Sequence, residues 1–212
     1  MRSILVSDFD GTITDHEFYA LVLARRPGVP NYFNEYLAGR LTHFEAMASV
    51  FSHSPTDEAT LAEMLEEMRP DPRTGEAVAR LRAAGWEVEV ASAGSAWYIE
   101  RVLRAAGMEA RVHASPGRIE DGRGLVLEPP RDSPYYHPEK GIDKDALVRD
   151  ALARYDRVAF AGDGPLDLPP ALMVAPGLRF ARRWLAGELR RRGEAFQEFG
   201  AWVEIAERIL QQ

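Results

Sequence analysis

Asp8, Asp10, Ser92, Asp163 and Asp167, accompanied by only two lysines, Lys140 and Lys144, are the side chains whose types and spacing could do chemistry. In Asp8-Phe9-Asp10-Gly11-Thr12 two carboxylates stand two residues apart after the apolar run Ile4-Leu5-Val6, so both face one mouth if that run is a strand. Gly162-Asp163-Gly164-Pro165-Leu166-Asp167 follows a second such run, Val158-Ala159-Phe160-Ala161. If Asp8, Asp10 and Asp163 converge, like charges crowd in a partly desolvated crevice, which raises their pKa values or demands a cation. A donor set made only of oxygens suits a hard ion, Mg²⁺ above all. An Asp beside that ion can attack phosphorus, and a second Asp can protonate the leaving oxygen and then activate water. A hydroxyl, backbone N–H groups at a helix start and a lysine ammonium would hold the remaining phosphoryl oxygens.

The elements that must position these groups alternate. Trp86-Glu87-Val88-Glu89-Val90-Ala91 reads as a third strand, followed by a turn at Ser92-Ala93-Gly94-Ser95 with Ser95 capping a helix to about residue 104. Helical patterns near 73–84, 95–105 and 143–153 lie between the strands, and Leu172-Met173-Val174 reads as a further short strand. The fold class is therefore α/β with a parallel sheet, and ligands in such sheets sit beyond the carboxyl ends of the strands. Residues 15–72 break the rhythm with four helix-like segments, near 16–25, 31–38, 42–51 and 56–68, and no convincing strand. The expected organisation is a core of residues 1–14 and 73–212 with a small helical insertion at 15–72. Asp121-Gly122 between short apolar stretches predicts a hairpin from Ile119 to Leu127.

Composition narrows the function. The 212 residues carry a net charge of −7, from 33 acids against 26 bases, which disfavours a nucleic-acid partner held by phosphate neutralisation. The absence of cysteine excludes disulfides, thiolate metal sites and thiol nucleophiles. No apolar stretch is long enough to span a membrane and no leader precedes Ile4, so a cytoplasmic location and no membrane partner are expected. The histidines, His16, His43, His53, His113 and His137, lack metal-type spacing and read as ordinary surface or core residues. Oligomeric state is not legible.

The ordered set of Asp8-Phe9-Asp10-Gly11-Thr12, Ser92, a lysine, and Gly162-Asp163-Gly164-Pro165-Leu166-Asp167 resembles the four motifs of the haloacid dehalogenase-like phosphohydrolases. That likeness implies a Rossmann-like core with an inserted helical cap, and a small phosphate ester as substrate. It makes Asp8 the nucleophile that forms an aspartyl-phosphate, and Asp10 the acid and base. Mg²⁺ would be bound by Asp8, the backbone carbonyl of Asp10, Asp163 and Asp167, the last through water or by orienting the lysine. Ser92, Ala93 and Gly94 would bind phosphate together with Lys144, which starts the helix before the Asp163 strand; Lys140 is the reserve.

An insertion directly after the first motif resembles the phosphoserine-phosphatase-like branch, in which Glu17 would meet the substrate's amino group. Where that branch places an arginine for the substrate carboxylate this chain has Phe51, with Arg40 as a conceivable substitute. A closer likeness is to the methionine-salvage phosphatase acting on 2-hydroxy-3-keto-5-methylthiopentenyl-1-phosphate. It extends over Asp8 to Thr14, the Lys144-to-Asp163 spacing and Leu178 to Leu185, although members of that group carry cysteines before the lysine. Phosphoserine phosphatase, a phosphomutase and a phospho-acceptor signalling domain remain as alternatives.

Overall fold

Ile4, Leu5 and Val6 have no exposed surface, because strand β1 (Ser3–Ser7) lies in the middle of a sheet covered on both faces. The computed structural model describes all 212 residues. After β1 come helices α1 (Phe18–Arg25), α2 (Tyr32–Leu37), α3 (His43–Phe51), α4 (Glu58–Glu67) and α5 (Thr74–Ala83). Strand β2 (Trp86–Ser95) and helix α6 (Ala96–Ala105) follow, then β3 (Arg111–Ser115), the hairpin β4 (Gly117–Glu120) and β5 (Gly124–Leu127), and the short pair β6 (Tyr136–His137) and β7 (Gly141–Ile142). Helix α7 (Lys144–Arg154), β8 (Arg157–Gly162), α8 (Leu168–Met173), β9 (Arg179–Ala181), α9 (Arg183–Arg192), β10 (Gln197–Glu198) and α10 (Val203–Leu210) complete the chain.

Six strands form one parallel sheet in the order β10-β9-β8-β1-β2-β3. Side chains on a strand alternate between faces, and the core divides accordingly. Leu5, Ala159 and Ala161 pack with residues of α5, α6 and α10, whereas Ile4, Val6, Val158 and Phe160 pack with residues of α7, α8 and α9. The α/β class and the parallel sheet expected from the sequence are therefore present. Helices α1 to α4 enter between β1 and β2, which are neighbours in the sheet, and residues of α1, α2 and α3 face the end of β1 that carries the aspartates.

Local chemistry starts the helices where the site needs them. Asp143 caps α7 by accepting from the N–H groups of Asp145 (3.0 Å) and Ala146 (3.2 Å), which places Lys144 in the first turn. Thr42 and Glu45 form a reciprocal capping box at the start of α3. Two expectations fail. Leu172-Met173 is the end of α8, since Pro169 and Pro170 occupy the first turn of a helix, where a missing N–H costs nothing. Residues 92–95 continue β2, with an irregularity in its pairing to β3 after Ala91, although Ser95 does cap α6 by accepting from Trp97 N–H at 3.3 Å.

Candidate active site

At the carboxyl end of β1 the Asp8 N–H donates to Ala161 of β8 (2.8 Å), which sets the Asp8 side chain at the junction of the two central strands. Lys144 Nζ donates to Asp8 Oδ1 and Asp167 Oδ1, both at 2.6 Å, and all three side chains are buried. The other oxygen of Asp167, Oδ2, accepts from the backbone N–H groups of Asp163 (3.0 Å) and Gly164 (2.9 Å). Both oxygens of Asp167 are thus engaged: one holds the lysine and the other holds the loop that presents Asp163. Thr12 Oγ1 lies 3.1 Å from Asp8 Oδ2 and 3.5 Å from Asp163 Oδ1. Gly11, at φ 77°, turns the chain here, and a Cβ at that position would collide with the Asp163 carboxylate.

The charges in this cluster do not balance. Asp8, Asp163 and Asp167 each offer an oxygen, and these lie within 4.8 Å of one another around one ammonium. Burial, then the neighbouring Asp167 and Asp163, push the Asp8 carboxyl well above the usual carboxylate range despite Lys144. Burial and Asp167 raise Asp163 to about 7. Burial pulls on Lys144 in the opposite direction, but Asp167 and Asp8 more than reverse it and hold the ammonium charged. Oxygens of Asp8 and Asp163 that Lys144 does not take face each other across Thr12, and an all-oxygen set with surplus negative charge fits a hard divalent cation.

Asp10 is held quite differently. Its Oδ1 accepts from Phe18 N–H (3.0 Å), and its Oδ2 accepts from Tyr98 O–H at 2.6 Å, with Ser92 Oγ at 3.5 Å. Burial lifts its pKa to about 6, against the Phe18 and Tyr98 hydrogen bonds that favour its charged form. Ser92 Oγ also accepts from Gly94 N–H at 3.0 Å, and any side chain at Gly94 would strike the Tyr98 hydroxyl. The backbone at Gly94 is therefore bare because Tyr98 needs the space to reach Asp10.

These groups line a cavity of about 370 Å³, the size of a small-metabolite site, together with Glu17, Ala93 and Gly94. Tyr19, Phe33, His43, Met47 and Phe51 of the inserted helices and their flanks close the far side. Of the two lysines only Lys144 is in the cavity; Lys140 pairs with Asp145 at 3.2 Å outside it. Arg40 is exposed and paired with Glu35, so it does not replace the arginine absent at Phe51. Tyr98, Thr12, Arg183 and His43 were not singled out by sequence reasoning. Arg183 Nη1 lies 3.4 Å from both Asp163 Oδ2 and Glu17 Oε1, and it is the one non-glycine residue with positive φ, at 50°. Its neighbour Arg182, buried, donates to the backbone carbonyls of Gly11, Thr14 (3.0 Å) and Gly200 (2.7 Å), and so ties down the loop that follows Asp8 and Asp10.

A curated relative, "Probable phosphatase phospho1" of Danio rerio, is 24% identical over 202 residues, covering 86% of this chain and 72% of its own length. A solved phospho-aspartyl intermediate analogue of phosphoserine phosphatase superposes with a TM-score of 0.68 at 18% identity, over 97% of this chain and 98% of the other. Phosphoserine phosphatase from T. onnurineus gives 0.64 at 19% identity, over 98% and 94%. The haloacid dehalogenase-like hydrolase family is matched over residues 5–171. With that match over most of its length, and with the phosphoserine-phosphatase form of the fold, this chain belongs to the haloacid dehalogenase-like hydrolases.

Proposed function

We propose that this hydrolase is a Mg²⁺-dependent phosphomonoesterase that works through an aspartyl-phosphate, an acyl phosphate formed on Asp8. The observation that carries the reading is the division of labour between two carboxylates two residues apart. Asp8 is bonded to the Lys144 ammonium, whereas Asp10 bonds only to neutral donors, the Phe18 N–H and the Tyr98 hydroxyl. An ammonium beside one carboxyl group favours its ionised, nucleophilic form, whereas a buried carboxyl group without a charged partner is suited to carry a proton.

Asp8 and Asp163, with the backbone carbonyl of Asp10, would hold Mg²⁺, which when bound neutralises the repulsion between carboxylate and phosphate and stabilises the charge developing on phosphorus. Asp8 attacks phosphorus in line and the bond to the leaving oxygen breaks. Asp10, protonated, gives its proton to that oxygen and the alcohol departs. Asp10, now a carboxylate, takes a proton from a water that attacks the same phosphorus, which frees inorganic phosphate and restores Asp8. Lys144, the Ser92 hydroxyl and the N–H group of Ala93 hold the non-bridging oxygens, and the Gly94 N–H orients Ser92 by donating to its Oγ at 3.0 Å. Residues 15–72 act as a cap that excludes water and chooses the alcohol.

For the alcohol, we favour 2-hydroxy-3-keto-5-methylthiopentenyl-1-phosphate, because Phe33, Met47 and Phe51 offer an apolar lining to a methylthio tail. Phosphoserine is the second reading, supported by Glu17 in the cavity. Phosphate release from para-nitrophenyl phosphate, with and without EDTA, tests the reaction. Turnover that survives EDTA and Asp8→Asn overturns it, and transfer of phosphate to a second alcohol instead of water would mark a phosphomutase. Relative kcat/KM on the two metabolites decides between the substrates.

A further inference from the structure

The cavity joins a charged floor to a roof without a cation. Its two cations belong to the core and are committed, Lys144 to Asp8 and Asp167, and Arg183 to Asp163, Glu17 and the carbonyl of Asp15. On the roof, Tyr19 lies near the negative charge of Glu17, and Phe33, Met47 and Phe51 are apolar. That leaves His43, whose buried Nδ1 has no hydrogen-bond partner.

The His43 ring is held in place rather than left free. It is the first residue of α3, whose start is set by the Thr42 and Glu45 capping box. The next N–H, that of Phe44, donates to Glu139 of the core at 2.9 Å, which ties this end of α3 to the loop leading to Lys144. The imidazole stands edge-on to Phe33 and Tyr36, with ring centroids 6.2 Å and 5.2 Å away. Burial, and then the nearby Lys144 charge, hold its pKa down at about 4, so the ring meets the substrate neutral. A neutral imidazole satisfies a hydroxyl or carbonyl group but does not compensate a carboxylate, which would be buried among aromatic rings and beside Glu17 without a partner.

We propose that His43 is a specificity-determining residue that selects phosphomonoesters whose alcohol carries an uncharged hydroxyl or carbonyl group over those carrying a carboxylate. The proposal rests on the phosphomonoesterase reading above. Glycerol 3-phosphate and 3-phosphoglycerate make the test, since they differ mainly by a hydroxymethyl group in place of a carboxylate; para-nitrophenyl phosphate reports the reaction itself.

Wild-type enzyme is expected to favour glycerol 3-phosphate over 3-phosphoglycerate by at least about tenfold in kcat/KM, the scale of one hydrogen bond and one uncompensated charge. In His43→Phe, the kcat/KM ratio of glycerol 3-phosphate to para-nitrophenyl phosphate should fall about tenfold, through KM more than kcat. His43→Gln, which keeps a neutral donor and acceptor, should recover most of that ratio, and His43→Arg should move preference toward 3-phosphoglycerate. A wild type that prefers 3-phosphoglycerate, or His43→Phe and His43→Gln that both leave the ratio unchanged, overturns the proposal. Failure of the wild type to hydrolyse para-nitrophenyl phosphate overturns the phosphomonoesterase reading and the proposal with it. A misfolded His43→Phe, visible in its melting temperature, is replaced by His43→Gln against His43→Arg, where equal ratios are the overturning result.

Discussion

The same sheet buries acid groups in two places and treats them in opposite ways. Glu89 on β2 is matched: His113 lies 2.9 Å away and Arg111 4.0 Å away, and the His113 hydrogen bond holds its carboxyl below the usual range. At the end of β1 the Asp8 and Asp163 carboxyls are driven upward instead, with three acids packed around one ammonium. A buried acid that serves only the fold is provided with its counter-charge by the fold. Acids left in surplus are a place where a cation from outside could be received, the pattern on which the proposed function rests.

The largest effect that tests this contrast is on turnover. Asp8→Asn should lower kcat on para-nitrophenyl phosphate by at least about a thousandfold, and Asp10→Asn by about a hundredfold or more, while Glu89→Gln stays near wild type. Equal losses at Asp8 and Glu89 would erase the distinction. Next comes binding. Mg²⁺ at a hundred times its dissociation constant should raise the melting temperature of the wild type and of Glu89→Gln by about 5–10 °C, and that of Asp163→Asn by far less. A response retained in full by Asp163→Asn removes the cation from the cluster.

A smaller effect sharpens the picture at Asp10. Tyr98→Phe deletes the 2.6 Å hydrogen bond that favours the charged form of Asp10, so the Asp10 pKa should rise and the Asp10-dependent limb of the pH–rate profile should move to higher pH. An unshifted profile would make Tyr98 a packing residue only. The smallest effect belongs to Glu89. Its folded-state pKa is lowered, so its stabilisation is present above its ordinary value near 4.5 and is lost as pH falls through the lowered value. Glu89→Gln should therefore cost about 1–2 kcal/mol at pH 7, measured by denaturant titration, and progressively less below about pH 4.

What the sequence could and could not reveal follows from range. Asp8, Asp10 and Asp163 were legible because each follows a short apolar run, and a buried strand declares itself by such a run. The place of Lys144 was legible because Asp143 caps its helix through local hydrogen bonds. Tyr98 was not, since an aromatic residue on a helix reads as core and only the fold brings its hydroxyl to Asp10, 88 positions away in sequence. His43 and Arg183 were missed for the same reason: a residue's neighbours along the chain do not say which cavity it lines. Leu172-Met173-Val174 misled because three apolar residues suit a helix end as well as a strand, and Pro169 and Pro170 decided for the helix.

Arg182 has a consequence for when activity can arise during synthesis. The loop that it secures, from Gly11 to Asp15, is synthesised well before the arginine and the Gly200 carbonyl that shares it. Strand β1 must likewise wait for β8, some 150 positions downstream, before its second neighbour exists. A nascent polypeptide that has made Asp8 and Asp10 therefore lacks both the second neighbour of β1 and the anchor of this loop until the residues from Arg157 to Gly200 have been released to dock.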